Sequence, residues 1–330
     1  FINMEKKMER KITAIVTMPP HAAFVDEVLD HRMVSGIRLN TVMPIKGSRE
    51  GRRNPLDITV LEEKLRELNE KATSRGKEFY VDLKSRQLRI VDMGAPPFTF
   101  IELSHEIEVY TPAKAYFHDR GESAMILEVD GNRLIMEAGP KRTVGPGESV
   151  TIPHPTLKIK GFLTEDDKAY IEASKNVGIH KYMLSFVENK TDSQAILAYD
   201  KDAIIKEKIE SARGLEYVRK EWGGKKGLVA ARGDMYMELQ WPHGIAEHTE
   251  FILRKDPNAI AASRILSSLA DFPEPSCSDV GDLDNLLRMG YRTIMLGDEV
   301  CLERDKVISA LNVFDYLSER YEDKIGDNRK

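Results

Sequence analysis

The sequence predicts an α/β protein built as a (β/α)8 TIM barrel, with a small all-β domain inserted after the third strand. Three observations lead to this prediction. Short runs of apolar or β-branched residues alternate with charged segments of helical periodicity, which is typical of parallel βα units. One proline-rich interval interrupts the alternation. The chain has 330 residues, a usual size for one such barrel that carries an insert.

Eight strands and eight helices account for the alternating segments. The predicted strands lie at residues 12–16, 35–39, 78–83, 182–186, 203–207, 227–231, 258–262 and 293–296. The predicted helices, with apolar residues three or four positions apart, lie at residues 24–30, 57–74, 164–175, 192–199, 212–220, 245–254, 279–289 and 305–320. Met18-Pro19-Pro20 follows the first strand, where a doubly wound sheet would carry a glycine-rich phosphate loop, so a barrel is favoured.

The interval between Arg89 and Gly161 differs in composition from the rest of the chain. It contains several prolines and short runs in which apolar and polar residues alternate, a pattern of small antiparallel sheets. Asp130-Gly131-Asn132 separates two of these runs and predicts a hairpin turn. We therefore expect residues 11–89 and 159–324 to form the barrel and residues 90–158 to form the inserted β domain.

Composition narrows the classes of function. The chain has 49 Lys and Arg against 54 Asp and Glu, a formal net charge of -5, so no global positive charge favours nucleic acid or anionic lipid. No apolar stretch approaches the roughly 20 residues of a membrane helix. The 2 cysteines are too few for a disulfide framework or a four-cysteine metal site, which indicates a reducing compartment. We expect a cytoplasmic protein that contacts neither nucleic acid nor a membrane.

Charged side chains follow several of the predicted strands. In a barrel of this class the carboxyl ends of the strands converge on one mouth, where catalytic groups lie. Glu210 and Asp234, after the fifth and sixth strands, suit a hard divalent cation such as Mg²⁺. Lys208 and Arg38 suit a phosphate or carboxylate ligand. Taken singly, such residues also form ordinary barrel ion pairs, but as a set in this order they favour a metal-assisted anion site.

The same strand ends resemble segments of the pyruvate kinase family. Lys208-Ile209-Glu210, followed by Gly214, is similar to the family's Lys-Ile-Glu-Asn segment, and Ala231-Arg232-Gly233-Asp234 is similar to its Ala-Arg-Gly-Asp segment. Further similarities are Gly36-Ile37-Arg38-Leu39-Asn40 with the family's Arg-x-Asn strand, Asp82-Leu83-Lys84 and Arg89 with its Asp-Thr-Lys-Gly-Pro-Glu-Ile-Arg segment, and Ile294-Met295-Leu296-Gly297-Asp298-Glu299 with its Ile-Met-Leu-Ser-Gly-Glu segment. The inserted β domain also occupies the family's insertion position.

The resemblance implies a role for each of these residues. Glu210 and Asp234 would ligate Mg²⁺ or Mn²⁺, and Lys208 would stabilise the transferring phosphoryl group. Arg38 would contact the substrate phosphate, and Ser263 would relay a proton to the enolate carbon; with Lys208 they would be the catalytic side chains. The remaining implied positions are Asn40 and the backbone N–H groups of Ala231, Arg232 and Gly233 for substrate, and Asp82, Lys84 and Arg89 as accessory residues.

Several positions depart from the family pattern. Val42 and Leu83 stand where the family has a Ser and a Thr that ligate K⁺, so we do not expect K⁺ as a cofactor. Thr41-Val42-Met43-Pro44 replaces a Ser-His-Gly segment, and the short insert has no recognisable Asp-Asp-Gly segment, which leaves the use of nucleotide open. We expect the C-terminal regulatory domain of typical pyruvate kinases to be absent.

Three hypotheses for the function remain. The first is Mg²⁺-dependent phosphoryl transfer between phosphoenolpyruvate and ADP, giving pyruvate and ATP as in glycolysis. The second is a divergent Mg²⁺-dependent lyase, aldolase or decarboxylase that forms an enolate from a 2-oxo acid without nucleotide. The third is a non-catalytic binding protein, which is disfavoured because a barrel needs none of Lys208, Glu210 and Asp234 for its stability. A homo-oligomer is also possible, and we expect its subunits to contact each other through the barrel helices.

Overall fold

The computed structural model describes residues 11–51, 54–117 and 120–322. The first elements in chain order are β1 (Thr13–Thr17), α1 (Val25–Asp30), β2 (Val34–Asn40), α2 (Ile58–Thr73) and β3 (Glu78–Leu83). Seven short strands follow: β4 (Phe100–Glu102), β5 (Ile107–Glu108), β6 (Ala113–Phe117), β7 (Ser123–Asp130), β8 (Arg133–Met136), β9 (Val150–Thr151) and β10 (Lys158–Ile159).

The rest of the chain returns to alternating helices and strands. In order these are α3 (Glu165–Asn176), β11 (Lys181–Leu184), α4 (Lys190–Leu197), β12 (Ile204–Ile209), α5 (Ala212–Lys220), β13 (Gly227–Ala231), α6 (Arg232–Glu238), α7 (Ile245–Lys255), β14 (Ile260–Ala262), α8 (Cys277–Met289), β15 (Thr293–Leu296), α9 (Asp298–Cys301) and α10 (Arg304–Glu322). Within the described ranges, no helix has both the length and the apolar character that crossing a bilayer requires.

Eight of the strands form a closed parallel barrel, which confirms the predicted fold. Their order around the barrel is β1, β2, β3, β11, β12, β13, β14 and β15, and β15 pairs with β1. The predicted bounds of the strands at residues 78–83, 227–231 and 293–296 agree with β3, β13 and β15. Because every neighbour runs parallel, all eight carboxyl ends open on the same side of the barrel.

β12 is longer than predicted at its carboxyl end. The prediction stopped at residue 207 because charged residues interrupt the apolar run, but the strand continues to Ile209. Ile205 and Ile209 pack in the apolar layer between the strands and the helices. Side chains alternate between the two faces of a strand, so Lys206 and Lys208 lie on the inner face of the barrel. The charged residues are therefore part of the strand rather than of the loop after it.

Apolar side chains fill the barrel below its polar mouth. The interior cluster consists of Ile15, Tyr80, Met183, Val229, Ile260, Ala262 and Met295. A much larger cluster fills the layer between the strands and the surrounding helices and includes Ile37, Leu65, Leu184 and Phe314. The barrel interior is thus a packed core rather than a channel, and a ligand can reach only the mouth.

The inserted segment has sheets and a core of its own. β4, β8, β7, β6 and β9 form one five-stranded sheet, and β5 pairs with β10. Gly131 and Asn132 form the turn between β7 and β8, as predicted, and Gly131 has a φ of 61°. Leu103, Phe117 and Leu134 belong to a separate apolar cluster. These features support the domain boundaries given above, which stay a prediction; residues 323 and 324 lie outside the described residues.

Gly214 lies where α5 closely approaches the loop after β11. A Cβ atom at this position would lie 2.8 Å from the carbonyl oxygen of Val187, a backbone atom that moves only with its loop. We therefore expect Gly214→Ala to lower the free energy of unfolding by about 1–3 kcal/mol, as overpacking does. Urea unfolding followed by circular dichroism measures the change.

Gly281→Ala is the matched control for this substitution. Gly281 lies inside α8, and the space that its Cβ would occupy is open. Alanine favours the helix over glycine, so Gly281→Ala is expected to raise the free energy of unfolding by about 0.5–1 kcal/mol. Equal effects of the two substitutions would contradict the steric explanation for Gly214.

Candidate active site

A cavity of about 140 Å³ lies at the mouth of the barrel. The predicted site residues that line it are Arg38, Asn40, Asp82, Lys84, Arg89, Lys208, Glu210, Asp234 and Ser263. Pockets for drug-sized ligands measure roughly 300 Å³ or more. The cavity therefore suits a ligand of few atoms, surrounded by charged groups from several strands.

Lys208 extends from β12 into this cavity and is buried among oxygen atoms. Its Nζ donates to Ser185 Oγ at 2.9 Å and to both carboxylate oxygens of Asp82 at 3.3 Å. It also lies 3.3 Å from Glu210 Oε1. Burial alone lowers the pKa of Lys208, but the carboxylates of Asp82 and Glu210 outweigh burial and the pKa is raised. The ammonium group therefore stays charged and is able to donate to an oxygen atom of a ligand.

Glu210 and Asp234 are the two carboxylates that the sequence predicts as ligands of a divalent cation. Glu210 is 1% exposed, and its Oε2 accepts a hydrogen bond of 2.6 Å from the backbone N–H of Phe186. Burial raises the pKa of Glu210; Lys208 lowers it, and Asp234 raises it further. Asp234 lines the same cavity, and its Oδ1 accepts from Gln87 Nε2 at 3.3 Å.

Because burial outweighs Lys208 and raises the pKa of Glu210, a further cation at the site would stabilise the ionised carboxylate. A cation such as Mg²⁺ keeps several waters and binds through one or two carboxylates together with substrate oxygens. In the part of the chain that the structure describes, no three Asp, Glu, His or Cys side chains converge on a metal position. Glu210 and Asp234, which line the same cavity, could hold such a cation together with waters and substrate oxygens.

Arg38 is 6% exposed, and its guanidinium is bound from three sides. Nε donates to Thr17 Oγ1 at 2.8 Å, Nη1 pairs with Asp82 Oδ2, and Nη2 donates to Asp298 Oδ1 at 2.8 Å. Burial alone lowers the pKa of Arg38, but Asp82 and Asp298 outweigh burial and raise it. Arg38 was predicted to bind the substrate phosphate, but each of its two terminal nitrogens already pairs with a carboxylate.

Ser263 reaches the cavity, whereas Ala231, Arg232 and Gly233 do not line it. The Arg232 guanidinium pairs with Asp282 at 2.7 Å and donates to the backbone oxygen of Ser263 at 3.1 Å. Ser263 Oγ makes no hydrogen bond with any residue that the structure describes. This hydroxyl is therefore available to a ligand, and the three loop residues lie beside the cavity wall.

Lys84 and Arg89 line the cavity but are engaged by neighbours. Lys84 Nζ lies 3.0 Å from Asp166 Oδ2, and its backbone N–H donates to Asp167 at 2.9 Å. Arg89 donates to the backbone oxygen of Gly147 and to Gln87 Oε1, while its Nε is buried without a partner among the described residues. Burial lowers the pKa of Arg89. Arg89 connects the cavity to the inserted segment, to which Gly147 belongs.

Four polar residues on the cavity wall were not predicted as site residues: Ser185, Gln87, Asp298 and Glu299. Ser185 directly follows β11, and Asp298 is the second residue after β15. Applying the strand-end rule to the fourth and eighth strands would have found both. Gln87 lies in the loop after β3, and no sequence signal distinguishes it.

Unusual backbone angles also occur at this end of the barrel. Ser85, Phe186 and Ser263 have φ values of 48°, 52° and 67°, in the left-handed region. Each such residue costs of order 1–3 kcal/mol, and such residues cluster at functional sites. They follow β3, β11 and β14, so the strain lies at the same mouth as the cavity.

Comparison with known proteins identifies the family of the chain. The family described as "Pyruvate kinase, barrel domain" matches residues 62–303, well over half of the chain. The chain belongs to the pyruvate kinase family. It is 25% identical to the pyruvate kinase of Agaricus bisporus over 325 residues, which cover 89% of this chain and 60% of that protein. It is also 25% identical to the pyruvate kinase of Methanocaldococcus jannaschii over 236 residues, covering 69% of this chain and 53% of that protein.

A third relative is the pyruvate kinase of Borreliella burgdorferi, which is 27% identical over 176 residues, or 51% of this chain and 37% of that protein. The chain thus spans between 37% and 60% of the length of these three curated pyruvate kinases. Membership of the pyruvate kinase family confirms the predicted resemblance and makes the protein pyruvate-kinase-like. The reaction of this chain is proposed from its own site.

Proposed function

We propose that the barrel mouth binds phosphoenolpyruvate or another 2-oxo acid derivative together with Mg²⁺ or Mn²⁺ and stabilises the enolate of that acid. The charge arrangement carries this proposal. The Lys208 ammonium lies buried within 3.3 Å of Asp82 and Glu210, in the same cavity as Asp234. A preorganised cation beside a metal-binding pair complements negative charge that develops on substrate oxygens.

The side chains have distinct parts in this proposal. Glu210 and Asp234 hold the cation, which when bound neutralises charge on the carboxylate and enolate oxygens of the substrate. Lys208 donates a hydrogen bond to the oxygen on which negative charge develops. Ser263 Oγ, which has no partner among the described residues, relays a proton between water in the open cavity and the carbon of the enolate, taking one proton as it gives the other.

Phosphoryl transfer is the reaction that family membership suggests. A phosphoryl group would pass between phosphoenolpyruvate and ADP, giving pyruvate and ATP, which is a step of glycolysis. Lys208 would neutralise the phosphoryl oxygens during transfer. The cavity of about 140 Å³ accommodates the small acid and leaves the nucleotide to approach from its opening.

A second reaction, enolate formation from a 2-oxo acid without nucleotide, is favoured by one observation. Both terminal nitrogens of Arg38 are held by the carboxylates of Asp82 and Asp298. A lyase, aldolase or decarboxylase would use the metal pair, Lys208 and Ser263, and would need no phosphate contact from Arg38.

We also propose that the site works without K⁺. Val42 and Leu83 both line the cavity, but neither has a side-chain oxygen that could ligate a cation, and the Leu83 side chain packs in the apolar layer outside the strands. The side-chain oxygen of Asn40 accepts the backbone N–H of Val42 at 3.2 Å. A cytoplasmic location, the lack of nucleic-acid and membrane contacts, and a homo-oligomer stay predictions.

Asp234→Asn and Glu210→Gln are each expected to weaken Mn²⁺ binding by about tenfold or more. Each substitution keeps the size of the side chain and removes the charge that holds the cation. Electron paramagnetic resonance of free Mn²⁺ measures the affinity. Glu216→Gln is the control, because Glu216 is exposed on α5 and pairs with Lys220 of the same helix. Wild-type affinity in both cavity variants would show that the metal assignment is wrong.

Two assays separate the proposed reactions. ATP formation from phosphoenolpyruvate and ADP would establish phosphoryl transfer. Metal-dependent exchange of the methyl protons of pyruvate in D₂O, together with no turnover of any nucleoside diphosphate, would establish enolate chemistry without nucleotide. Absence of both activities, in protein that binds no Mn²⁺, would exclude the proposed function.

A further inference from the structure

Asp298 occupies the position on Arg38 and Asn40 that a ligand anion would take. Its Oδ1 accepts from Arg38 Nη2 at 2.8 Å, and its Oδ2 accepts from Asn40 Nδ2 at 2.7 Å. One carboxylate therefore uses both oxygens on two donors from the same strand, β2. A bound carboxylate or phosphate could accept from the same two donors, one of which is charged.

The two carboxylates on Arg38 are not equivalent. Asp82 is 2% exposed, lies within β3 and also accepts from Lys208, so it belongs to the fixed frame of the site. Asp298 is the first residue of the four-residue helix α9, and its side chain is 40% exposed. Among the described residues, Arg38 is the only cation that pairs with it. Asp298 is thus the partner that lies at the open side of the cavity, where a ligand enters.

The charge of the cavity wall also depends on Asp298. The wall carries the acidic residues Asp82, Glu210, Asp234, Asp298 and Glu299 and the basic residues Arg38, Lys84, Arg89 and Lys208. With all nine groups ionised, the acidic groups outnumber the basic groups by one. A bound divalent cation would change the net charge of these groups from minus one to plus one. This charge balances a singly charged carboxylate ligand but not a more highly charged one. A phosphate ester adds a second, doubly charged group that would lie against the Asp298 carboxylate, since like charges repel at short distance.

We propose that Asp298 fills the anion subsite of Arg38 and Asn40 and thereby makes the mouth selective for an unphosphorylated 2-oxo acid over its phosphoenol ester. Asp298 is a specificity-determining residue in this proposal, and the substrate class is a small monocarboxylic 2-oxo acid bound with a divalent cation. The inference rests on the proposed function, because it assumes that the mouth binds such acids. It favours the reaction without nucleotide.

Calorimetric titration of the whole chain with pyruvate and with phosphoenolpyruvate, both in the presence of Mn²⁺, tests the inference. The wild-type protein is expected to bind pyruvate more tightly than phosphoenolpyruvate. Asp298→Asn removes the charge and keeps the shape, so its Kd for phosphoenolpyruvate should fall by about tenfold, while its Kd for pyruvate changes less than about threefold. Asp298→Ala should shift the ratio of the two Kd values in the same direction.

Glu299→Gln is the charge-matched control. It removes one negative charge from the same rim, and Glu299 makes no hydrogen bond with Arg38 or Asn40. The Kd ratio in Glu299→Gln should stay within about threefold of the wild-type ratio. An unchanged ratio in both Asp298 variants, or an equal shift in Glu299→Gln, would overturn the inference and leave the proposed function standing. Failure of the wild-type protein to bind either acid with Mn²⁺ would instead refute the proposed function, and the inference with it.

Discussion

Lys208→Met is expected to lower the rate of the enolate-forming step by about 10²–10³-fold, the usual loss when one preorganised donor to a developing negative charge is removed. Lys208 carries a charge that the surrounding carboxylates stabilise, since Asp82 and Glu210 keep its pKa raised against the opposing effect of burial. Methionine fills a similar volume and supplies neither the charge nor the donor. Exchange of the methyl protons of pyruvate in D₂O with Mg²⁺, followed by NMR, measures the rate, and ATP formation from phosphoenolpyruvate and ADP is measured in parallel.

Lys206→Met is the matched control for this experiment. Lys206 lies two residues earlier on the inner face of β12, is not among the residues that line the cavity, and undergoes the same chemical change. Its rate is expected to stay within about threefold of the wild-type rate. Circular dichroism and the melting temperature verify that Lys208→Met is folded, because the substitution leaves Glu210 without its buried cation and Asp82 with Arg38 alone. A folded Lys208→Met protein with the wild-type rate would remove Lys208 from the mechanism.

The barrel could be predicted from the sequence because each strand and helix has a local pattern. The run at β13, Gly227–Ala231, is apolar and short and is bounded by charged segments, so its bounds were found without tertiary information. The end of β12 was misplaced for a related reason. Its inner-face residues, Lys206 and Lys208, are both charged, and a charged residue in a short run resembles a loop.

The direction of side chains at the mouth could not be predicted from strand ends alone. The Arg232 side chain pairs with Asp282, which lies 50 residues later in the chain, and no local pattern links the two. Asp298 belongs to a segment that the sequence matched to the family, yet its hydrogen bond to Arg38 spans 260 residues. The sequence thus identified the backbone positions at the mouth, whereas the partners that neutralise each charge depend on the closure of the barrel.

Arg86→Met is expected to lower the free energy of unfolding by about 3–5 kcal/mol, the usual cost of removing one partner from a buried ion pair. Arg86 is 9% exposed and lies where the chain leaves the barrel for the inserted segment. Its Nη1 and Nη2 bind the two carboxylate oxygens of Asp192, at 2.8 and 2.5 Å, and Nη1 also donates to the backbone oxygen of Phe186 at 3.1 Å. The guanidinium stacks on Phe162, near the point where the chain re-enters the barrel. Urea unfolding followed by tryptophan fluorescence measures the loss.

The reason for so large an effect is the carboxylate that Arg86→Met would leave behind. Asp192 is 2% exposed, and its other hydrogen bonds come from the backbone N–H groups of Glu188 and Asn189, which carry no full charge. Adding Asp192→Asn to Arg86→Met removes the stranded charge. The double variant should therefore recover about 1 kcal/mol or more of the free energy of unfolding, which is the size of coupling found between contacting residues. Arg133→Met, which breaks a more exposed pair with Glu102, should change stability by less than about 1 kcal/mol. If the double variant is as unstable as the sum of its two single variants, the buried charge is not the cause, and the lost stacking on Phe162 becomes the explanation to test.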